Sequence, residues 1–291
     1  MPVSPLHAPI LGWYAQHARD LPWRRPDVTP WAVLVSEAML QQTPVARVLP
    51  VYLAWLERWP TPGALAAETP GAAVRVWDRL GYPRRALRLH EAASTIVARH
   101  GGEVPSSYDD LLALPGVGSY TAAAVASFAF GARHAVLDTN VRRVLARALG
   151  GQEQPAPHLT AAERAAAACV VPDAPAVAAR WAVAVMELGA LVCTAREPRC
   201  ADCPVLERCA WRGAGKPSYD GPRRAPQGFA GTDRQVRGLI MAVLRDSVDP
   251  VPVASLHAVW PGDTQRERAL AGLVADGLAV RHPDGTVALP A

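Results

Sequence analysis

The sequence predicts a mainly α-helical protein with room for two domains. Three observations carry that expectation. Half of the 291 residues are hydrophobic, which is ample for a buried core. The apolar residues recur at helical spacing through Ala- and Leu-rich stretches. Twenty-eight prolines and 22 glycines cut those stretches into many short helices.

Each helix has a local reason to start or stop. Thr29-Pro30 is a cap followed by proline at the first helical position, and the helix runs to Gln42. Thr43-Pro44 repeats the signal for a helix that a kink at Pro50 would interrupt. Further helices are expected over Gly63–Ala67, Pro70–Leu80, Pro83–His100 and Tyr108–Ala113. Another runs from Tyr120 to Phe130 and stops at Gly131. Asp138 caps a helix through Leu149, ended by Gly150-Gly151. Helices over Ala161–Val170 and Ala174–Leu191 follow. Residues 213–232, rich in Gly, Pro and polar residues, read as a linker. Residues 233–291 then offer three helical stretches and a hairpin with an Asp284-Gly285 turn, a small winged-helix-like unit. It serves either DNA contact or packing and protein contact.

The start "MPVSPLHAPILGWY" lacks the basic residues and long apolar run of a secretory signal, and no apolar stretch would span a bilayer. The expectation is a soluble cytoplasmic protein with no membrane partner. The net charge of +4 is compatible with a polyanion without requiring one. Lys216 is the only lysine, so Schiff-base chemistry has almost no amine to use.

Four of the five cysteines, Cys193, Cys200, Cys203 and Cys209, fall in "CTAREPRCADCPVLERC" with spacing C-x6-C-x2-C-x5-C. Clustered thiols in a reducing compartment read as metal ligands rather than disulfides. Zinc sites tend to use two separated close pairs. Here one close pair is flanked by two looser ligands in a compact loop, which favours a cubane iron–sulfur cluster. Cys169, alone in "AAAACVV", is expected as a buried small hydrophobe.

This spacing resembles the [4Fe-4S] loop of the endonuclease III and MutY family of DNA glycosylases. The resemblance extends from about Leu11 to Trp211. It implies a helix-hairpin-helix glycosylase module over 1–212, with a six-helix lobe at about 25–131 and a cluster lobe of 1–24 plus 132–212. In "LPGVGSYTAA", Gly116, Val117 and Gly118 form a tight turn at the start of a helix, where N–H groups and the helix dipole make an anion site. Such a site grips a DNA phosphate without reading sequence. An ordinary helix–turn–helix corner is the plain alternative.

Glu37 lies among apolar residues in "WAVLVSEAMLQQT", so it either faces solvent or occupies a dry pocket with a raised pKa. "SEAMLQQT" resembles the MutY catalytic helix, which implies that Glu37 protonates the departing adenine. Asp138 in "VLDTNV" matches the family aspartate that stabilises the cationic sugar, and Asn140 would orient both groups. Tyr120 stands where lyase-capable relatives carry a lysine. A phenol forms no imine, so a monofunctional glycosylase is implied, with Tyr120 hydrogen-bonded near Asp138 or simply exposed at the helix start.

A base must leave the stack to be reached. Leu40, Gln41, Gln42 and Thr43 resemble the segment that inserts beside the partner base. Gln42 is the wedge; Thr43 contacts the partner or only caps its helix. Leu80 and Tyr82 in "LGY" resemble a second probe. Arg19, Trp23, Arg24 and Glu187 resemble the lining of the adenine pocket, although Trp23 also suits a core. Arg196, Arg199 and Arg208 on the cysteine loop stand near possible phosphates.

Two features depart from the family pattern. The Nudix-like domain that recognises 8-oxoguanine has no counterpart in the tail after Asp233, as in the short actinobacterial members, and "DTN" replaces the commoner "DGN". The implied activity is adenine removal from duplex DNA opposite 8-oxoguanine or guanine, by a nucleoid-associated monomer. A thymine or uracil mismatch glycosylase and a non-catalytic, metal-containing DNA-binding protein are the alternatives.

Overall fold

The computed structural model describes residues 4–222 and 228–291. The helices in chain order are α1 (His7–His17), α2 (Pro30–Leu40), α3 (Val45–Arg58), α4 (Pro62–Ala66), α5 (Pro70–Trp77), α6 (Arg84–His100) and α7 (Tyr108–Leu112). They continue with α8 (Ser119–Phe130), α9 (Thr139–Ala148), α10 (Ala161–Cys169), α11 (Pro175–Leu191), α12 (Ala210–Gly213), α13 (Asp233–Asp246) and α14 (Asp263–Ala275). Three short strands, β1 (Val251–Pro252), β2 (Val280–Arg281) and β3 (Thr286–Ala288), pair antiparallel in the order β1-β3-β2. No described helix is long and apolar enough to cross a membrane.

The chain divides into two compact units. The first comprises Met1–Leu34, Ser106–Ala113 and Val117–Arg224. Its core joins Leu6, which precedes α1, and Ile10 of α1, Val141, Val144 and Ala148 of α9, and Trp181, Val185 and Leu188 of α11. These fall three and four apart on each helix, so one stripe per helix faces inward. A smaller cluster joins Ala123 and Ala124 of α8 to Val136 and Ala182, with Tyr120 packed against it. Helix α8 therefore groups with the cysteine loop, not with the six-helix lobe expected from sequence.

The second unit comprises Val35–Pro105, Leu114–Gly116 and Ala225–Ala291. Three buried tryptophans mark its centre: Trp55 meets Trp59 and Trp77 edge-on, with ring centroids 4.7 and 5.7 Å apart. Helix α6 buries Ala86, Leu89, Ala92, Ala93 and Ile96 along one stripe and ends at left-handed Gly101. The segment expected to form a separate domain belongs to this same unit. Val236, Ile240 and Leu244 of α13 and Leu270 and Leu273 of α14 are its buried stripes. Main-chain and side-chain bonds fasten it down: Gly71 N donates to Pro290 O at 2.8 Å, and Arg75 donates to the carbonyls of Arg245 and Ser247.

Several local expectations change in three dimensions. Helix α1 was not anticipated, because Leu6 at its start offers no side-chain cap and the sequence no punctuation. "VASLHA" is a 3-10 turn, not an α-helix, and β1 adds a third strand to the expected hairpin. Cys169 is exposed rather than buried, since α10 turns only Ala167 inward.

Candidate active site and cysteine loop

In the first unit, α9 starts where Asp138 Oδ1 accepts from Val141 N at 2.6 Å, the expected cap. Its other oxygen accepts from Asn140 Nδ2 at 2.7 Å. Burial raises the pKa of Asp138 above its ordinary value, against these hydrogen bonds and the charge of Arg143. The carboxyl is thus oriented by two donors yet held in a poorly solvated place.

From Asn140 a row of side chains follows one face of α9. Asn140 Oδ1 accepts from Arg143 Nη2 at 2.8 Å. The same guanidinium donates to Gly189 O at 2.7 Å and, through Nε, to Cys193 O at 2.7 Å. One turn on, Arg147, only 1% exposed, donates to Thr194 O at 2.7 Å and lies 3.4 Å from Cys193 Sγ. The row rests on close approach of α9 and α11. A Cβ on Gly189 would meet Asn140 Cβ at 2.7 Å and Asn140 O at 2.9 Å. Arg143, Arg147 and Gly189 were not singled out from sequence. The legible signal was the spacing of Asn140, Arg143 and Arg147, which places them on one helix face.

Glu187 on α11 is fully buried and ion-paired twice. Arg19 grips it with Nε and Nη2, both at 2.7 Å, while Arg24 Nη1 lies 2.9 Å from Oε2, off the hydrogen-bond direction. Burial pushes this carboxyl up, but the Arg19 hydrogen bond and the two charges win and hold it below its ordinary value. Arg19, Arg24 and Glu187 therefore form one ion-paired group, and Trp23, next to Arg24 in the chain, is buried. Tyr120, in the first turn of α8, packs on the cluster that contains Val136, two residues before Asp138.

The turn before α8 treats its glycines differently. Gly116 has φ +76°, and a Cβ there would strike Arg88 Cβ at 2.5 Å, so only glycine suits. Gly118 is extended, with open space around its α-carbon. Its use is to start α8 with a bare backbone rather than to permit the turn. Val117 between them is buried.

Cys193, Cys200, Cys203 and Cys209 line one cavity together with Arg147, Val192 and Trp211. Arg147 also lies over the Trp211 ring at 4.7 Å. Among the described residues, no three His, Cys, Asp or Glu side chains gather as they would around a single metal ion. Four thiols around a shared cavity beside a buried cation form a donor set that suits a larger, anionic thiolate-held group.

In the second unit, Glu37 is 5% exposed on α2, between Ser36 and Met39, which are also buried. The solvent-facing alternative is removed. Beyond α2 the chain turns through Gln42, a non-glycine residue at φ +57° that is itself exposed. Thr43 is buried and does not cap α3. Its hydroxyl lies 3.3 Å from both Gln41 O and Leu80 O, one of which takes its single proton. Leu80 is buried, so the "LGY" segment presents Tyr82, which is 47% exposed with φ +48°.

One residue missed from sequence organises all of this. Arg85 Nη1 points at the carbonyls of Ala38 (2.9 Å), Met39 (3.1 Å) and Gln41 (2.6 Å). Its Nη2 donates to Thr43 Oγ1 at 3.0 Å and to Gly81 O at 3.1 Å. The guanidinium lies over the rings of Trp77 and Tyr82. It satisfies the carbonyls at the end of α2 and sits at the negative end of that helix dipole. Burial lowers its pKa to about 10. The available signal was two arginines, Arg84 and Arg85, in the first turn of α6, where the dipole disfavours cations.

Comparison with known proteins identifies the family. Residues 35–168 match the HhH-GPD superfamily base excision DNA repair protein family. The chain is 52% identical over 282 residues to an adenine DNA glycosylase of Mycobacterium tuberculosis, covering 97% of this chain and 92% of that one. It is 53% identical over 290 residues to an adenine DNA glycosylase of Mycolicibacterium smegmatis, covering 99% and 97%. A solved thermostable thymine-DNA glycosylase superposes with a TM-score of 0.64 at 28% identity, covering 71% of this chain and 94% of that one.

Proposed function

We propose a mechanism for this chain from the premise that it belongs to the adenine DNA glycosylase family of helix-hairpin-helix base excision repair proteins and hydrolyses the N-glycosidic bond of adenine. The substrate is duplex DNA with adenine opposite 8-oxoguanine or guanine. The carrying observation is the environment of two carboxyls: Glu37 buried on α2, and Asp138 held by Val141 N and Asn140 in a site that raises its pKa.

Glu37 donates a proton to the flipped adenine, and the bond to the sugar breaks with its electron pair leaving on the base. The sugar becomes oxocarbenium-like. Asp138, ionised, faces that charge, and water completes the hydrolysis. Each carboxyl supplies about 10²–10⁴-fold of rate. Tyr120 and the scarcity of lysine support a monofunctional reaction that leaves the strand intact. Arg19, Trp23, Arg24 and Glu187 line the adenine pocket. Gly116, Val117 and Gly118 hold a phosphate. Gln41, Gln42 and Tyr82 meet the partner base, with buried Leu80 and Thr43 supporting them from behind.

Cys193, Cys200, Cys203 and Cys209 would hold a [4Fe-4S] cluster. The shared cavity and the buried Arg147 beside Cys193 support that reading. When bound, the group gives the loop a compact anionic centre, and Arg147 and Arg143 connect the loop to Asn140. The chain acts as a monomer associated with the nucleoid.

The test is a single-turnover assay on duplexes carrying A opposite 8-oxoguanine, A opposite G, T opposite G and U opposite G, with and without alkali. Breaks only after alkali, and only from the adenine duplexes, are expected. Cleavage without alkali overturns the monofunctional reading. Release of thymine or uracil overturns the pocket assignment. A Glu37→Gln protein that cleaves at the wild-type rate removes Glu37 as the acid.

A further inference from the structure

The segment after residue 228 makes three contacts with one short loop, residues 78–83, and the first residue of α6 beyond it. Arg245 Nη1 of α13 donates to Asp78 O at 2.8 Å. Asp276, just past α14, pairs with Arg84 Nη1 at 3.2 Å. Arg234, in the first turn of α13, lies over the Tyr82 ring at 5.4 Å, within cation–π range. The loop needs support from outside itself, because Asp78 (φ +45°) and Tyr82 (φ +48°) both occupy the left-handed region that non-glycine residues avoid. Arg85 touches the same Tyr82 ring at 5.4 Å from α6. Tyr82 and Arg234 are both exposed. Arg79, Arg84 and Arg234 thus bring exposed positive charge to the loop that carries Tyr82.

We propose that the C-terminal segment completes the reading site for the base opposite the target adenine, with Arg234 as a specificity-determining residue beside Tyr82. This rests on the role given to Tyr82 above. A guanidinium presents two parallel N–H donors, the complement of the adjacent acceptors on a guanine-type base edge. Packing over the Tyr82 ring holds the exposed guanidinium beside that side chain. Arg245 and Asp276 are positioning residues that fix the loop beneath it.

The test uses the full-length chain as wild type, R234A and R234K. The excision rate is followed against enzyme concentration under single-turnover conditions, which gives a half-saturating concentration. Three duplexes carry the same adenine opposite 8-oxoguanine, guanine or an abasic-site analogue. The expected result for R234A is about a tenfold rise opposite 8-oxoguanine and guanine, the loss of one bidentate contact, with no change opposite the abasic analogue. R234K keeps the charge and the fold but loses the fork, so it should recover less than half of that loss. An equal rise on all three duplexes makes Arg234 a phosphate contact and overturns the proposal, as does no change on any. If the wild type removes no adenine at all, the functional reading fails instead. Equilibrium binding of the same duplexes then decides the role of Arg234 alone.

Discussion

Arg147 in the first unit and Arg85 in the second do similar work by different designs. Each buries a guanidinium among main-chain carbonyls. Arg147 is the last of a series along α9, in which Asp138, Asn140, Arg143 and the cysteine loop are linked one to the next. Arg85 is a hub, where one side chain gathers the end of α2, Thr43 and the Gly81 turn. A series fixes one carboxyl firmly and passes damage along gradually. A hub holds two turns with exposed, positive-φ residues, Gln42 and Tyr82, and fails all at once. The difference teaches that a buried carboxyl is fixed by a chain of bonds along its own helix, while two exposed turns borrow their rigidity from a single cation.

The largest expected effect lies at the head of the series. Asp138→Asn should slow single-turnover excision by about 10²–10⁴-fold. The pH profile sharpens the point. Burial raises Asp138, so the wild-type rate should fall, as pH drops, at a higher pH than an ordinary aspartate would give. Below it the carboxyl is neutral and offers the cation no charge. The Asn variant should lack that limb; an unchanged limb assigns the titration elsewhere.

The hub is tested next. Arg85→Met leaves the carbonyls of Ala38, Met39, Gln41 and Gly81 without this donor. It should cost about 3 kcal/mol in urea unfolding and weaken binding to every duplex. An unchanged midpoint would break the hub description.

Glu187→Gln should cost about 2 kcal/mol, discounted from a fully buried pair because Arg19 is one-third exposed. The sign with pH follows from its lowered pKa. The ion-pair contribution is complete above the unfolded carboxylate value and is lost as pH falls through the lower folded value. Stability measured against pH should show this loss in the wild type and not in the variant.

The smallest effect is Gly189→Ala. Its Cβ would press on Asn140 and cost about 1 kcal/mol in thermal unfolding. Excision should slow with it, because Asn140 carries one of the hydrogen bonds to Asp138. Lost stability with full activity would show that the series does not position the carboxyl.

Much of this was legible from local chemistry. Thr29 accepts from Ala32 N, Asp138 caps α9, and Gly131 ends α8, each within the reach of its own sequence neighbours. Three features were not legible. Thr43 carries a cap signal, yet its hydroxyl points to carbonyls that include Leu80 O, 37 residues away. Cys169 sits in an apolar run, yet α10 turns it outward. Arg85 lies between 42 and 47 residues from its partners at Ala38, Met39, Gln41 and Thr43, and no spacing rule reaches that far.

The sequence by itself determined what depends on neighbours along the chain: where the capped or glycine-ended helices begin and end, the spacing of four thiols, and the near absence of an amine nucleophile. Only the tertiary structure decided which carboxyls lie in dry surroundings. It buries Glu37, gives Glu187 two arginines, and gives Asp138 two hydrogen bonds in a poorly solvated place. The reason is physical. Dihedral preferences and caps act over a turn or two, whereas desolvation depends on every element that packs nearby, and those elements come from distant parts of the chain.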